Sequence, residues 1–486
     1  MNHSITRIMD ARINHTLLVT ALVGTFFSGT ATRIFNISMP TVASSLGTDL
    51  IGISWALLAY QLSNIGLSII FGRIADLWGR EKVFALGFAV FAVCSLLCGL
   101  SQTVFQLIVF RFFQGVGGSM LQSSSRALAA QAVPEELGGR AQGYMTTAHH
   151  TGFLLGPSIG GLMIDYLSWR WTFFFLVPFG LFGALLTLKN LNRRQAAPLR
   201  QTAAIDYLGA ALLFATTTTL VLILDRRTLA VMGTEARLAS LFVFLGCFSG
   251  LLLHESRTKS PFVASALFKL RIFTLSALSL LLVATCYAVS FFLLPFYLQD
   301  VLHLSPSFIG LLFMAPSITT VALAPVSGYL ADRVGPRLPA GLGVGCMVGA
   351  LLLGSLLRPD SHWLLPTLMI VFGAMTNGLF NPANSTAMIS MAPAEHRGFA
   401  SAFNHVTFGL GNILGVALGG WVMTATFERH TGLSGVTPTT ANPAAFTAAL
   451  DSTFFAAAGL SVVALITSAA RGGGGLRGGG GLARKR

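Results

Sequence analysis

Six residues carry chemistry into stretches of the chain that are otherwise apolar. Arg33 and Arg111 are cations set among Ile, Phe and Val, and Gln114 stands one helical turn from Arg111 on the same face. His149 and His150 adjoin in a third such stretch, and His405 lies in a fourth. A cation in hydrocarbon is expensive, so each arginine either faces a cavity or is bonded to backbone carbonyls inside a bundle. Histidine titrates near neutral pH and can carry a proton, unless it is a polar group satisfied between helices. Asn377, Asn381, Asn384 and Asn404 add polar groups that line a cavity or join helices. The chain has no zinc-type histidine spacing, no nucleophile elbow and no nucleotide-binding GxxxxGKS or GxxxxGKT loop. An enzyme, a metal or other cofactor and ATP drive are therefore not expected. A filter-like loop or a ring of like charges, as a channel would need, is also lacking.

The elements that position these residues follow from composition. With 53% hydrophobic and 10% charged residues over 486 positions, a water-soluble core is implausible and an all-α polytopic membrane protein is expected. Apolar windows of about 20 residues, the length that crosses a bilayer, fall near 16–38, 51–71, 83–101, 104–125, 141–164, 171–189, 206–224, 238–254, 273–298, 307–330, 338–357, 363–391, 398–425 and 449–468. That predicts 14 transmembrane helices. No period-two pattern recurs, which argues against a barrel.

The net charge of +14 is distributed by loop, not clustered as for a nucleic acid. Arg7 and Arg12, then Arg73, Arg80 and Lys82, then Arg126 and Arg140, and so on to the tail, occupy alternate loops; the opposite side holds few, such as Arg170, Arg358 and Arg429. The positive-inside rule then puts both termini in the cytoplasm of a multi-pass inner-membrane protein. Arg226, Arg227 and Arg237 are the local exception. The first apolar run reads as a retained span instead of a signal peptide. All five cysteines fall in predicted spans and read as small buried hydrophobes. The Gly-rich basic segment 471–486 reads as a disordered cytoplasmic tail.

One stretch is written twice: GRIADLWGREK from Gly72 to Lys82, and GYLADRVGPR from Gly328 to Arg337. Each lies between apolar runs and reads as a tight connection on one membrane side. Gly72, Asp76, Gly79 and Arg80 correspond to Gly328, Asp332, Gly335 and Arg337, with Arg333 beside the second acid. Gly152, Gly156, Gly160 and Gly161 recur as Gly411, Gly415, Gly419 and Gly420, and Pro134, Glu135 and Arg140 recur loosely as Pro393, Glu395 and Arg397. The copies lie 256 to 259 residues apart (328 against 72, 411 against 152). Six spans need about 190 residues, so the offset leaves about 65, enough for two more spans. The expected plan is two six-helix bundles related by an internal repeat plus two inserted central helices: 1–192, a connector at 193–272, 273–470, and the tail at 471–486.

The stretch from Gly72 to Lys82 resembles the loop after the second span of the major facilitator superfamily. LIVFRFFQGVGG, from Leu107 to Gly118, resembles its fourth-span motif, and GFLLGPSIGG, from Gly152 to Gly161, the fifth-span signature of its exporters. With DYLGA from Asp206 and the 14-span count, the chain resembles the drug/proton antiporter branch, a multidrug efflux type. The resemblance implies a cytoplasmic latch at Asp76 and Asp332, a cavity role for Arg111 with Gln114 beside it, and alternating access between bundles. In physical terms the latch acid can sit against a helix N-terminus and pair with a cation across the gap, and the glycines of 152–160 with Pro157 form a packing and hinge face.

The first span departs from that branch. Aligning Asn36 and Pro40 puts Ala31 where an acid commonly stands, with Arg33 close by, and every Asp and Glu is expected in a loop or at a span end. Without a buried counter-charge a cationic cargo is disfavoured. The expectation is a secondary active exporter of small neutral or anionic organic compounds in exchange for protons, with His149, His150 or His405 carrying the proton and Asn377 in the polar lining. The runner-up is a proton-coupled importer of an organic anion. Its partners are a small-molecule substrate, protons and the lipid bilayer; a periplasmic adaptor and an outer-membrane channel are further candidates.

Overall fold

The structure is a computed structural model that describes residues 14–134, 138–191, 207–224, 226–257, 265–390, 397–432, 438 and 442–471. The side chains of Asp76 and Asp332 lie outside what is described, as do Arg7, Arg12, Glu135, Pro393, Glu395, the 192–206 stretch and residues 472–486. Among the described residues every regular element is helical. In hydrocarbon the backbone has no water to bond, and a helix satisfies each N–H within its own segment.

The helices run α1 His15–Ser45, α2 Leu50–Trp78, α3 Arg80–Leu100, α4 Val104–Gln131, α5 Gly138–Tyr166, α6 Trp171–Phe174, α7 Leu176–Leu191, α8 Tyr207–Leu224, α9 Arg226–Arg257, α10 Ser265–Phe268 and α11 Arg271–Phe296. A π-turn at Tyr297–Val301 leads to α12 Pro306–Leu312, α13 Met314–Val334, α14 Arg337–Gly354, α15 Leu364–Ser390, α16 Arg397–Thr431 and α17 Pro443–Ala469. Polar side chains start several of them. Asn14 accepts from Leu17 N at 3.1 Å, Asp49 from Gly52 N at 2.7 Å, and Thr103 from Gln106 N at 3.2 Å. Each satisfies a donor that the helix itself cannot.

Among the described residues, eleven segments are long and apolar enough to cross a membrane. The predicted spans at 206–224 and 238–254 match two shorter apolar helices, Ala211–Leu224 and Leu238–His254. The span predicted at 141–164 lies in the 29-residue α5, which is not one of the eleven. The twice-written stretch is more helical than its sequence suggests. α2 continues through Asp76 to Trp78, Gly79 turns the chain at φ 100°, and α3 begins at Arg80. In the second copy α13 runs to Val334, Gly335 has φ 88°, and α14 begins at Arg337. The left-handed φ is where glycine is required, so the connection shrinks to one or two residues and the acids sit on last turns of helices, not in loops. Asp451 likewise stands two turns inside α17 instead of at a span end, 3.6 Å from Arg358.

The chain divides into two compact units, Met1–Arg257 with Pro295–Met314 and Leu433–Pro443, and Thr258–Leu294 with Ala315–Gly432 and Ala444–Arg486. In the first, Phe27, Phe84, Phe88 and Phe91 form the aromatic centre of a buried core, with Phe27 and Phe91 edge to face at 4.7 Å. α5 lies along α1 through its glycines. A Cβ at Gly152 would strike Phe26 O and Thr30 N, one at Gly156 would lie 3.0 Å from Thr30 O, and one at Gly160 2.7 Å from Ile34 Cγ1. In the second unit Gly411 faces Leu281 O and Thr285 N, Gly415 faces Thr285 O, and Gly419 faces Val289. The opposed residues pair as 26 with 281, 30 with 285 and 34 with 289, each 255 apart.

Two of the arginines expected on the cation-poor side are explained by helix ends. Arg170 Nη1 donates to Gly99 O at 2.9 Å and also to Ser101 O, capping the end of α3, and Arg358 Nη1 donates to Leu357 O at 3.0 Å after α14. Cations suit the negative end of a helix dipole. Arg170→Met is expected to lower stability by about 2 kcal/mol, through the two lost charged hydrogen bonds, and to leave transport intact. Thermal unfolding of the purified protein checks the first part and a transport assay the second.

Candidate functional site

The glycines that follow Arg111 in its motif explain how that side chain comes to be enclosed. A Cβ at Gly115 would lie 3.1 Å from Tyr60 Cα, and one at Gly117 2.7 Å from Phe91 N, so α4 presses against the backbones of both α2 and α3. Ser63 Oγ adds a bond to Phe112 O at 2.8 Å. Arg111 points into the resulting space and is 1% exposed. Its guanidinium donates to Ala56 O at 3.3 Å and to Gln114 Oε1 at 2.8 Å, and Gln114 Nε2 donates to Ser95 Oγ at 2.7 Å. The rings of Phe35 and Tyr60 lie 4.2 and 4.4 Å from the guanidinium carbon. A cation held by neutral oxygens and π-faces stays charged yet sealed from water. Arg111 is thus bonded to the Ala56 carbonyl and enclosed.

Arg33 and the paired histidines gather at a second place, between α1 and α5. Gly29 lets the two helices touch: a Cβ there would lie 2.6 Å from His149 O and 3.2 Å from Phe153. Arg33 is half-buried and its guanidinium carbon lies 4.6 Å from the Phe153 centroid. His149 packs on the same ring at 4.3 Å, with His150 6.3 Å from it and 5.9 Å from His149. Phe153 is therefore a shared platform for one cation and two titratable rings. Nothing in its residue type marks Phe153 for this role, although it follows His149 by one helical turn.

A third arrangement joins α5 to residues Pro295–Met314 within the first unit. A Cβ at Gly310 would lie 2.5 Å from Pro157 O and 3.0 Å from Ser158 Cα, and one at Gly161 would strike Pro306 O. Ser307 N donates to Asp165 Oδ2 at 2.8 Å, and Ser158 Oγ to Gly310 O at 3.2 Å. Nearby in the sequence of this segment, Gln299 Nε2 donates to Thr41 Oγ1 at 2.9 Å. Pro157 and Gly161 thus take part in a seam across chain-distant segments as well as in packing.

The remaining predicted residues are dispersed. In the second unit His405 is half-buried on α16, its neighbour Asn404 donates to Ser385 Oγ at 2.6 Å, and Asn377 Oδ1 accepts from Asn381 Nδ2 at 2.7 Å. Of the latch residues, Gly72 lies inside α2, where an added methyl would lie 3.8 Å from Ser123 Cβ. Arg80 opens α3, and Arg333 is exposed with its guanidinium 4.6 Å from the ring of Tyr329 on its own helix. Among the described residues no cluster of metal-ligating side chains occurs.

Multiple apolar helices, a buried arginine cage and a mid-helix arginine–histidine cluster describe a multi-pass membrane protein. The sequence matches the Major Facilitator Superfamily over residues 21–280 and again over 275–471, and the chain belongs to that superfamily. It is 30% identical to the riboflavin transporter RibZ of Clostridioides difficile (strain 630) over 81% of this chain and 86% of that one. It is 29% identical to the tetracenomycin C resistance and export protein of Streptomyces glaucescens (84% and 75% covered), and 27% identical to the multidrug transporter MdtP of Bacillus subtilis (strain 168) (84% and 75% covered). The fold is shared with a bacterial homologue of the human lysosomal transporter Spinster in an inward-facing, unoccupied conformation. The TM-score is 0.67 at 15% identity, covering 94% of this chain and 96% of that one.

Proposed function

We propose that the protein exports small neutral or anionic organic compounds across the inner membrane, by alternating access and in exchange for protons. The observation that carries the reading is the cluster on α1 and α5, where Arg33, His149 and His150 share the Phe153 ring. A guanidinium supplies the counter-charge for an anion, the aromatic face accepts a flat apolar body, and a neighbouring imidazole exchanges a proton. Relatives named for multidrug transport and for export of tetracenomycin C support the outward direction. The full plan is 14 spans in two related halves with both termini cytoplasmic. It is supported by glycine contacts whose facing residues lie 255 apart and by the two shorter apolar helices Ala211–Leu224 and Leu238–His254. Domains are proposed at 1–192, 193–272 and 273–470. Asp76 and Asp332, with Gly79 and Gly335 turning the chain behind them, form the cytoplasmic latch that breaks as the halves rock.

The test is transport into inside-out vesicles under an imposed pH gradient, with cationic, neutral and anionic compounds. Arg33→Ala is expected to lower transport of the anionic compounds about tenfold, the equivalent of about 1.4 kcal/mol, with a smaller effect on neutral ones. His149→Ala is expected to flatten the pH dependence. Transport of monovalent cations with an unchanged proton dependence in both variants would refute the assignment, and accumulation only in right-side-out vesicles would favour import of an organic anion.

A further inference from the structure

An arginine at the end of a span ordinarily extends along the lipid and leaves its guanidinium in water. Arg471 turns the other way. α17 ends at Ala469, Ala470 N still bonds to Ile466 O at 2.8 Å, and the next residue folds its side chain back into the second unit, where it is 4% exposed. The guanidinium carbon lies 5.6 Å from the ring centroid of Phe380, a fully buried residue on α15. Nε, Nη1 and Nη2 have no hydrogen-bond partner among the described residues. Ser468, one turn earlier on the same face, is also buried, and its hydroxyl likewise has no partner there.

The other arginines beside helix ends and cores show how differently the fold treats them. Arg111, just as buried, bonds to two oxygens between two rings, and Arg170 caps two carbonyls. A single ring recovers only a fraction of what burying a guanidinium costs. Burial pushes Arg471 down to about 10, which still leaves it cationic at neutral pH. What is assembled at the end of α17 is a planar fork of donors with a hydroxyl one turn away and an aromatic wall. That is the chemistry that recognises a phosphate oxygen pair.

We infer that Arg471 and Ser468 bind a phosphate group at the end of the last span. The boundary of the bilayer is where lipid phosphodiesters concentrate, and free phosphate carries the same oxygens. The experiment uses the purified full chain in detergent. Its thermal stability is followed during titration with phosphatidylglycerol, with phosphatidylcholine as control, and separately with inorganic phosphate, while native mass spectrometry counts retained phospholipid. The parent is expected to gain roughly 3 °C or more with phosphatidylglycerol, with inorganic phosphate, or with both. Phosphatidylglycerol alone identifies a lipid site, and a response to phosphate identifies one open to the free ion. The gain, and any retained lipid, should be lost in Arg471→Gln and reduced in Ser468→Ala. Arg471→Met keeps the bulk without the charge, so it should fold at least as well as the parent without anion yet show no response. An equal gain with phosphatidylcholine, an undiminished gain in the folded Met variant, or no gain in the parent with either anion would overturn the inference.

Discussion

Gly161→Val is expected to reduce transport at least about a hundredfold, the equivalent of about 2.7 kcal/mol, while leaving a folded, membrane-inserted protein. A Cβ at this position would strike Pro306 O and lie 2.8 Å from the carbonyl carbon behind it and 2.9 Å from Ser307 Cα. These are backbone atoms, so no rotamer change relieves the collision. Forcing the segments apart also breaks Ser307 N to Asp165 and Ser158 Oγ to Gly310 O, and lifts Gly310 away from Pro157. The cost falls on one short helix of seven residues and spares the aromatic core of the first unit. That is why loss of transport should outrun loss of folding. If the proposed alternating access opens this seam in each cycle, a valine removes one of its two states. Thiol labelling of Ser158→Cys should rise in the Gly161→Val background, with Gly161→Ala giving an intermediate rate. Parental transport by Gly161→Val would show that the seam is not part of the cycle.

Arg111 carries the second large effect. Arg111→Ala leaves Gln114 Oε1 without its 2.8 Å donor in a fully buried site and opens a cavity between Phe35 and Tyr60, for a loss of about 3–5 kcal/mol. Arg111→Lys keeps the charge but a single ammonium cannot span Ala56 O and Gln114 Oε1 as the fork does, so only partial recovery is expected. Arg111→Met separates packing from charge. It fills the space with an apolar chain, and replacing a buried ion by a well-packed apolar group is often close to neutral for stability. Thermal unfolding should return to near the parent, whereas transport should stay below about a tenth of it, because the cation's field is gone. Transport restored along with stability in Arg111→Met would make the arginine a purely structural strut.

Much of the candidate site was legible because it obeys short-range rules. Arg111 and Gln114 are neighbours by helical geometry alone, and a fourfold glycine period marks a face for close approach. The unexpected helical character of Asp76 and Asp332 has an equally local cause, since one glycine with positive φ suffices to reverse the chain and the acids need not leave their helices. Partnerships across the fold were not legible. Nothing in the sequence connects Thr41 with Gln299, Asp165 with Ser307, or Arg33 with the face of Phe153. A hydrogen bond between residues 258 apart leaves no period or spacing to read.

The sequence by itself determined that this is an all-helical membrane protein, because hydrocarbon forbids unsatisfied backbone and dictates about 20 apolar residues for each crossing. It also determined where charge enters the apolar stretches. Only the tertiary structure decided the fate of each charge: Arg111 caged by carbonyl and rings, Arg33 laid on Phe153, Arg170 spent on a helix end, and Arg471 buried beside Phe380 with no hydrogen-bond partner among the described residues. The reason is physical. The cost of a guanidinium in a low-dielectric interior is set by the few atoms within about 5 Å of it, and those atoms come from other helices.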